Sequence, residues 1–469
     1  MVFSSLEFLF IFLPVFMLVY FFAPRASKNF VLLIGSIFFY AYSALDRPSY
    51  LIVFVLSIAF NFSIGVFIDK SEGLRRFWLV IGLLCNFSVL FVFKYTNFFL
   101  SGLAGRFFPH LLLEDGRIVD LVLPIGISFY TFQAVSYLID VYRRDIEAQY
   151  SLVNFAMYIS MFPQLIAGPI VTYSQVDSYI EERKCSFSGI ASGTKIFIFG
   201  LGLKVLLANQ LGSLWRALED IGFDSISTRL AWMGIAARSF QIYFDFFGYS
   251  VMAIGLGVMM GFKLPQNFDH PYTSLTMTEF WRRWHITLGS WFREYLYIPL
   301  GGNRKGELIT YRNLLFVWLF TGLWHGASLN FVIWGFLLFV LIAAEKLFLG
   351  KILNGIPILG RIYMLIFIPI SWVFFSIEDF GSIAVFFHKL FPLFQGNAQQ
   401  AFVGDYLKYG EQYGLFLVLG LFFSTRLPYK LYSMIKDNII GYAFLLAVFW
   451  LSVYAMYRGL DDPFLYFRF

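Results

Sequence analysis

Residues 321–335 read TGLWHGASLNFVIWG, with one histidine set between Trp324 and Gly326 in an otherwise apolar run. A titratable ring in such a stretch costs free energy unless another interaction offsets it. In a soluble core the ordinary explanation is a buried imidazole bonded to a carbonyl. Inside a bilayer, ionisable residues tend to line pathways or do chemistry. The reading of His325 therefore depends on what surrounds it.

The surroundings are membrane-like. Of 469 residues, 59% are hydrophobic, 21% aromatic and only 14% charged, against about 25% charged in an average soluble protein. Apolar runs approaching or reaching the roughly 20 residues of a bilayer crossing recur at 7–23, 50–68, 77–94, 331–349, 359–375 and 438–457. The expectation is an all-α polytopic membrane protein with about ten to fourteen membrane segments. The first run has no basic residue before it and no small-residue cleavage site after it, so it reads as a retained helix rather than a signal peptide. Cys85 and Cys185 allow one disulfide but make no Cys-x-x-Cys metal signature.

The net charge is +6, and its placement is informative. Arg25 and Lys28 follow the first run, and Lys70, Arg75 and Arg76 lie between the runs at 50–68 and 77–94. The loop between, around Asp46 and Arg47, carries no net charge. Positive loops stay cytoplasmic, which puts the N-terminus outside. These scattered juxtamembrane cations form no patch for nucleic acid.

From 118 to 335 the apolar runs are broken by proline, glycine and polar residues. Irregular backbone at membrane depth survives only where protein or a water-filled cavity satisfies it. The chain thus reads as one integral membrane domain with N-terminal helices over 1–117, a functional core over 118–335 and C-terminal helices over 336–469.

Within that core, residues 278–306 read TEFWRRWHITLGSWFREYLYIPLGGNRKG. Helical spacing places Trp281, Trp284, His285, Leu288 and Tyr295 on one face, with Glu279 and Arg283 spaced for an i,i+4 pair. Gly301, Gly302, Asn303 and Gly306 then make a turn bearing Arg304 and Lys305. An interfacial helix with Trp anchors and snorkelling Arg accounts for all of this except His285. Of the five histidines, only His285 and His325 lie in Trp-rich intramembrane context, and an imidazole suits proton transfer near neutral pH. His270 precedes Pro271 in a turn, His110 sits in a connecting segment and His388 reads as interfacial. Asp245 and Lys204 are intramembrane charges, open either to catalytic partnership or to polar pairing between helices. There is no G-x-S-x-G elbow, no H-E-x-x-H and no P-loop. His110 and Asp115 share the H-x-x-x-x-D spacing of glycerolipid acyltransferases, but those enzymes' later Phe-Pro-Glu-Gly type segment is missing.

Seven ordered segments resemble the membrane-bound O-acyltransferases. They are MVFSSLEFLFIFLPV at 1–15, LPIGISFYTFQ at 123–133, FPQLIAGPI at 162–170, QIYFDFFGYSVMAIG at 241–255, FWRRWHITLGSWFREYLYIPLGGNRKG at 280–306, GLWHGASLNFVIWG at 322–335 and DDPFLYFRF at 461–469. Within the family the chain is most similar to the membrane subunit of bacterial polysaccharide O-acetylation, the alginate type. The teichoic-acid D-alanylation membrane protein is a more distant likeness. Alginate-type sequences usually carry an Asp after Gly-Tyr-Ser where this chain has Val251, which leaves cellulose, peptidoglycan or a secondary wall polymer open as acceptor.

The resemblance implies a helical fold with re-entrant or broken helices and a central tunnel, in a bacterial cytoplasmic membrane. It implies acetyl-CoA as the cytoplasmic acyl donor, with no permanently bound cofactor and no metal. The acyl group would pass to an extracytoplasmic partner protein that decorates a polysaccharide. Carried over by motif, His325 is the family's general base and His285 the second histidine, orienting the thioester or stabilising developing charge. Trp324, Asp245, Gln133 and Asn330 are candidates for lining or supporting the tunnel. Arg304 and Lys305, if cytoplasmic, either attract the CoA phosphates or serve as positive-inside anchors. The rivals are D-alanyl transfer and a polymer or precursor transporter, whose broken helices and midplane charges would look similar.

Overall fold

The apolar runs become helices, and the breaks between them fall at proline, glycine and charged residues. The computed structural model describes residues 1–107, 121, 123–392, 404–459 and 465, and no strand forms among them. His110, Asp115 and nearly all of the closing 461–469 segment lie outside the described residues.

In chain order the first helices are α1 (Leu13–Phe22), α2 (Lys28–Ser43), α3 (Ser49–Lys70), α4 (Arg75–Phe107), α5 (Ile127–Arg143), α6 (Leu152–Ser160), α7 (Phe162–Leu165) and α8 (Tyr173–Glu181). The central ones are α9 (Phe187–Gly202), α10 (Asn209–Ile221), α11 (Thr228–Met260), α12 (Met277–Arg283), α13 (Ile286–Phe292), α14 (Glu307–His325) and α15 (Leu329–Ala344). The last are α16 (Gly350–Gly355), α17 (Pro357–Ser376), α18 (Phe380–Leu390), α19 (Asp405–Phe423), α20 (Leu427–Ile435) and α21 (Ile439–Tyr457). Among the described residues, seven helical stretches are long and apolar enough to cross a membrane, and α19 with α20, bent by 81°, would make an eighth. The run at 7–23 forms a shorter apolar helix, Phe8–Phe22. The chain is a multi-pass membrane protein. Cys85 and Cys185 are both unbridged.

Two compact units divide the chain. One comprises residues 1–194 and 253–265. In it α2 packs on α6, and α3 on α4 and α5. Two of its basic residues meet helix ends. Lys28 Nζ donates to the carbonyls of Tyr20 (2.7 Å) and Phe21 (3.1 Å) at the end of α1. Arg75 Nη2 donates to those of Val141 (2.8 Å) and Tyr142 (3.2 Å) at the end of α5. Both cations meet the last carbonyls and negative pole of a helix C-terminus. Helix α5 is buried on nearly every side and carries Gln133, whose amide has no hydrogen-bond partner among the described residues.

The other unit comprises residues 195–252 and 266–469. Helix α9 meets α11 backbone to backbone here, because a Cβ on Gly200 would lie 2.7 Å from the Gly248 carbonyl oxygen. That approach sets Lys204 against Asp245, Nζ to Oδ1 at 2.6 Å, both side chains almost wholly buried. Lys204 also donates to Asn209 Oδ1 (2.8 Å), and Asp245 Oδ2 accepts from the Leu465 amide (2.9 Å). Of the two roles left open for this pair, the contacts show polar pairing between helices.

Candidate active site

Helix α14 ends on His325. Gly326 turns extended after it, and α15 returns antiparallel from Leu329. The two helices touch through glycines: a Cβ on Gly322 would lie 2.3 Å from the Phe331 carbonyl oxygen, and one on Gly335 2.3 Å from that of Trp318. The small-residue break read around His325 is thus a helix end plus a close crossing. It brings Trp334 of α15 to 5.1 Å from the imidazole centroid, with Trp324 at 4.9 Å and Phe375 of α17 at 5.5 Å. His325 is 6% exposed. Its Nδ1 lies 2.7 Å from the Thr321 carbonyl oxygen. A carbonyl only accepts, so Nδ1 carries the proton and the lone pair of the neutral ring is on Nε2.

The continuous helix expected from 278 through Tyr295 breaks instead into two. Helices α12 and α13 break at Trp284–His285, where His285 adopts a left-handed backbone with φ 44°. That conformation costs a non-glycine residue roughly 1–2 kcal/mol. Tertiary hydrogen bonds offset it: the Ile286 amide donates to the Asn267 carbonyl (2.9 Å), and the Thr287 amide (3.3 Å) and hydroxyl (2.9 Å) donate to Asn267 Oδ1. The start of α12 is held from α15's end, where the Glu345 carboxylate accepts from the amides of Met277 (2.5 Å) and Thr278 (2.9 Å). The local pair expected from spacing does form, Arg283 Nη2 to Glu279 Oε1 at 2.6 Å.

The break aims His285 inward. Its ring is 2% exposed, edge-on to Phe246 at 4.6 Å, and 6.1 Å from Trp324. Nδ1 lies 3.1 Å from Asn267 Oδ1, while Nε2 has no hydrogen-bond partner among the described residues. The two imidazoles flank Trp324, within electrostatic reach of each other. Around them Trp281 packs on Trp318 (5.1 Å) and Trp334 (5.5 Å), and Trp284 on Trp372 (5.1 Å). The indole N–H groups of Trp281 and Trp334 find no acceptor among the described residues. The result is an apolar, aromatic wall around two buried imidazoles.

The remaining sequence candidates divide. Trp324 stands between the histidines. Asn330, at the start of α15, is fully buried and donates to the Phe374 carbonyl (2.9 Å), tying α15 to α17. Asp245 belongs to the ion pair, one residue before the Phe246 that packs on His285. Gln133 lies in the first unit. Arg304 and Lys305 are exposed in a turn at the opposite end of α14 from His325, about 27 Å away along a helix rising 1.5 Å per residue. Asn267, in LPQNFDHPY, was missed. Its only sequence signal is an asparagine beside Gln266 in a Pro-bounded loop before the Trp-rich segment.

Known proteins resemble this chain in sequence. The model of the membrane-bound O-acyltransferase family, MBOAT, matches residues 143–378. "Probable alginate O-acetylase AlgI" of Pseudomonas aeruginosa is 42% identical over 388 residues, covering 81% of this chain and 72% of that protein. "Peptidoglycan O-acetyltransferase" of Helicobacter pylori is 38% identical, covering 81% and 78%. "Teichoic acid D-alanyltransferase" of Bacillus subtilis is 29% identical over 49% and 60%. With its multi-pass helical fold and these matches, the chain belongs to the membrane-bound O-acyltransferase family and is an O-acyltransferase.

Proposed function

We propose that this enzyme takes an acetyl group from cytoplasmic acetyl-CoA and delivers it, through an extracytoplasmic partner protein, to hydroxyls of a polysaccharide outside a bacterial cytoplasmic membrane. Relatives named for alginate and peptidoglycan O-acetylation support the acetyl group and the polymer class. The observation that carries the chemistry is the His325 imidazole, buried among tryptophans with Nδ1 tied to Thr321 and its lone pair on Nε2. In the transfer, the hydroxyl oxygen attacks the thioester carbonyl carbon while His325 Nε2 takes its proton. The C–O bond forms, the C–S bond breaks, and the imidazolium returns the proton to the departing CoA sulfur. Such general-base help is worth about 10²–10⁴-fold, and the dry aromatic wall suppresses hydrolysis of the thioester. Arg304 and Lys305 offer the CoA phosphates a first contact at the cationic end of α14, or act as positive-inside anchors there.

The test uses membrane vesicles carrying the full chain, radiolabelled acetyl-CoA, and base-labile label in the polymer fraction as readout. His325→Ala should lower transfer by at least about 10²-fold at normal protein level, and near-normal transfer refutes the assignment. Likeness to D-alanyltransferases keeps D-alanyl transfer as a second reading. A D-alanyl thioester that outcompetes acetyl-CoA would establish it. The N-terminus is proposed to face outward. In a chain with Cys85 and Cys185 replaced, an impermeant thiol reagent should then label cysteine at position 46 and spare position 70, and the reverse pattern inverts the topology.

A further inference from the structure

We infer that Asn267 is a positioning residue that fixes His285 as a hydrogen-bond acceptor, so that the site holds two basic ring nitrogens instead of a base and a donor. The inference deepens the reading above and rests on it for the reaction. It begins with the amide's orientation. The Thr287 backbone N–H can only donate, so the Asn267 atom facing it at 3.3 Å is the oxygen. Nδ2 then faces Ser250 Oγ at 3.2 Å, on the turn of α11 just after Phe246. The same oxygen meets His285 Nδ1 at 3.1 Å, and an oxygen acceptor requires Nδ1–H. The neutral ring is left with its lone pair on Nε2, the atom with no partner among the described residues. A fixed hydrogen bond to one ring nitrogen selects a histidine's tautomer and orientation.

The consequence changes the role of His285. A neutral imidazole protonated on Nδ1 has no Nε2–H to give the thioester oxygen as it becomes an oxyanion. His285 instead accepts from a substrate N–H or O–H, and so orients substrate toward His325. His325 is the titratable group that bears on it across Trp324, and its Nδ1 is also committed to protonation. Two such rings on either side of Trp324 take up one additional proton far more readily than two, which matches a reaction that frees one hydroxyl proton and returns it to sulfur. The strained φ of 44° at His285 is the backbone expression of the same clamp, because Asn267 grips the turn through its carbonyl as well as its amide.

The test has two arms on the full chain. Solid-state ¹⁵N spectroscopy of histidine-labelled protein in lipid bilayers, with His285 identified by its absence in His285→Asn, should show Nδ1 protonated and Nε2 unprotonated. A His285 protonated on Nε2 overturns the inference. In the vesicle assay, Asn267→Leu should lower kcat by about 10–100-fold with KM little changed, the usual scale for such a partner. Asn267→Asp keeps the acceptor and adds a charge that favours the imidazolium. It should restore activity at high pH and move the acid limb of the kcat profile upward by about one pH unit. An aspartate variant as impaired as the leucine variant at every pH, or an unmoved acid limb, overturns the positioning role. Failure of the wild-type chain to transfer acetyl from acetyl-CoA defeats the proposed function instead, and the spectroscopic arm still decides the tautomer.

Discussion

Gly335→Ala tests whether the α14–α15 crossing sets the geometry of the site. The added Cβ would lie 2.3 Å from the Trp318 carbonyl oxygen, where ordinary van der Waals contact begins at 3.4 Å. The obstacle is backbone, so no rotamer change relieves the shortfall of about 1.1 Å, and the helices must part. Trp334 is the adjacent residue and its ring packs on His325 at 5.1 Å, so the displacement is delivered at the imidazole. Misplacement by about 1 Å costs on the order of 10²-fold in rate, and overpacking of this kind costs roughly 1–3 kcal/mol of stability. The expected result is a protein that inserts and elutes normally in detergent, melts a few degrees lower, and transfers acetyl about 10²-fold more slowly. Gly414→Ala on α19 is the control, since a Cβ there meets nothing within 4 Å. It should keep full activity and gain a few tenths to about 1 kcal/mol from better helix propensity. Wild-type rates in Gly335→Ala would refute the reasoning.

The other predictions concern charge. Removing one member of the buried Lys204–Asp245 pair, as in Lys204→Met or Asp245→Leu, leaves an uncompensated charge and should cost about 3–5 kcal/mol, while the double variant should melt above either single one. Thermal melts in detergent measure this. Glu345→Ala removes the carboxylate that holds the start of α12 and should lose about 2 kcal/mol, the worth of one charged hydrogen bond, along with much of the transfer activity. Glu345→Gln should lose less of both, because it can still accept. If the turn at Arg304 and Lys305 meets CoA phosphates, Arg304→Gln with Lys305→Gln should raise KM for acetyl-CoA several-fold at low salt and leave kcat unchanged. An unchanged KM assigns the pair to anchoring.

Composition and hydropathy were enough for the membrane class. So few charges and so many long apolar runs bury their surface only in a bilayer, and five of the six runs quoted contribute to helices long enough to cross it. The isolated His325 between glycines in apolar sequence was also legible, since an intramembrane imidazole needs a reason to be there. Local spacing was enough for the Glu279–Arg283 pair and the glycine turn before α14. It was not enough where distant groups compete for the backbone. Periodicity from 278 through Tyr295 described a continuous amphipathic helix, yet Asn267 takes the Ile286 and Thr287 amides and breaks it at His285. Likewise, Lys204 and Asp245 are 41 positions apart, and their meeting depends on Gly200 and Gly248 letting two backbones touch. Residue identity determined that this chain spans a membrane and carries two unusual histidines. Tertiary hydrogen bonding and close helix crossing decided where those rings stand, which nitrogen His285 presents, and which buried charges pair with one another.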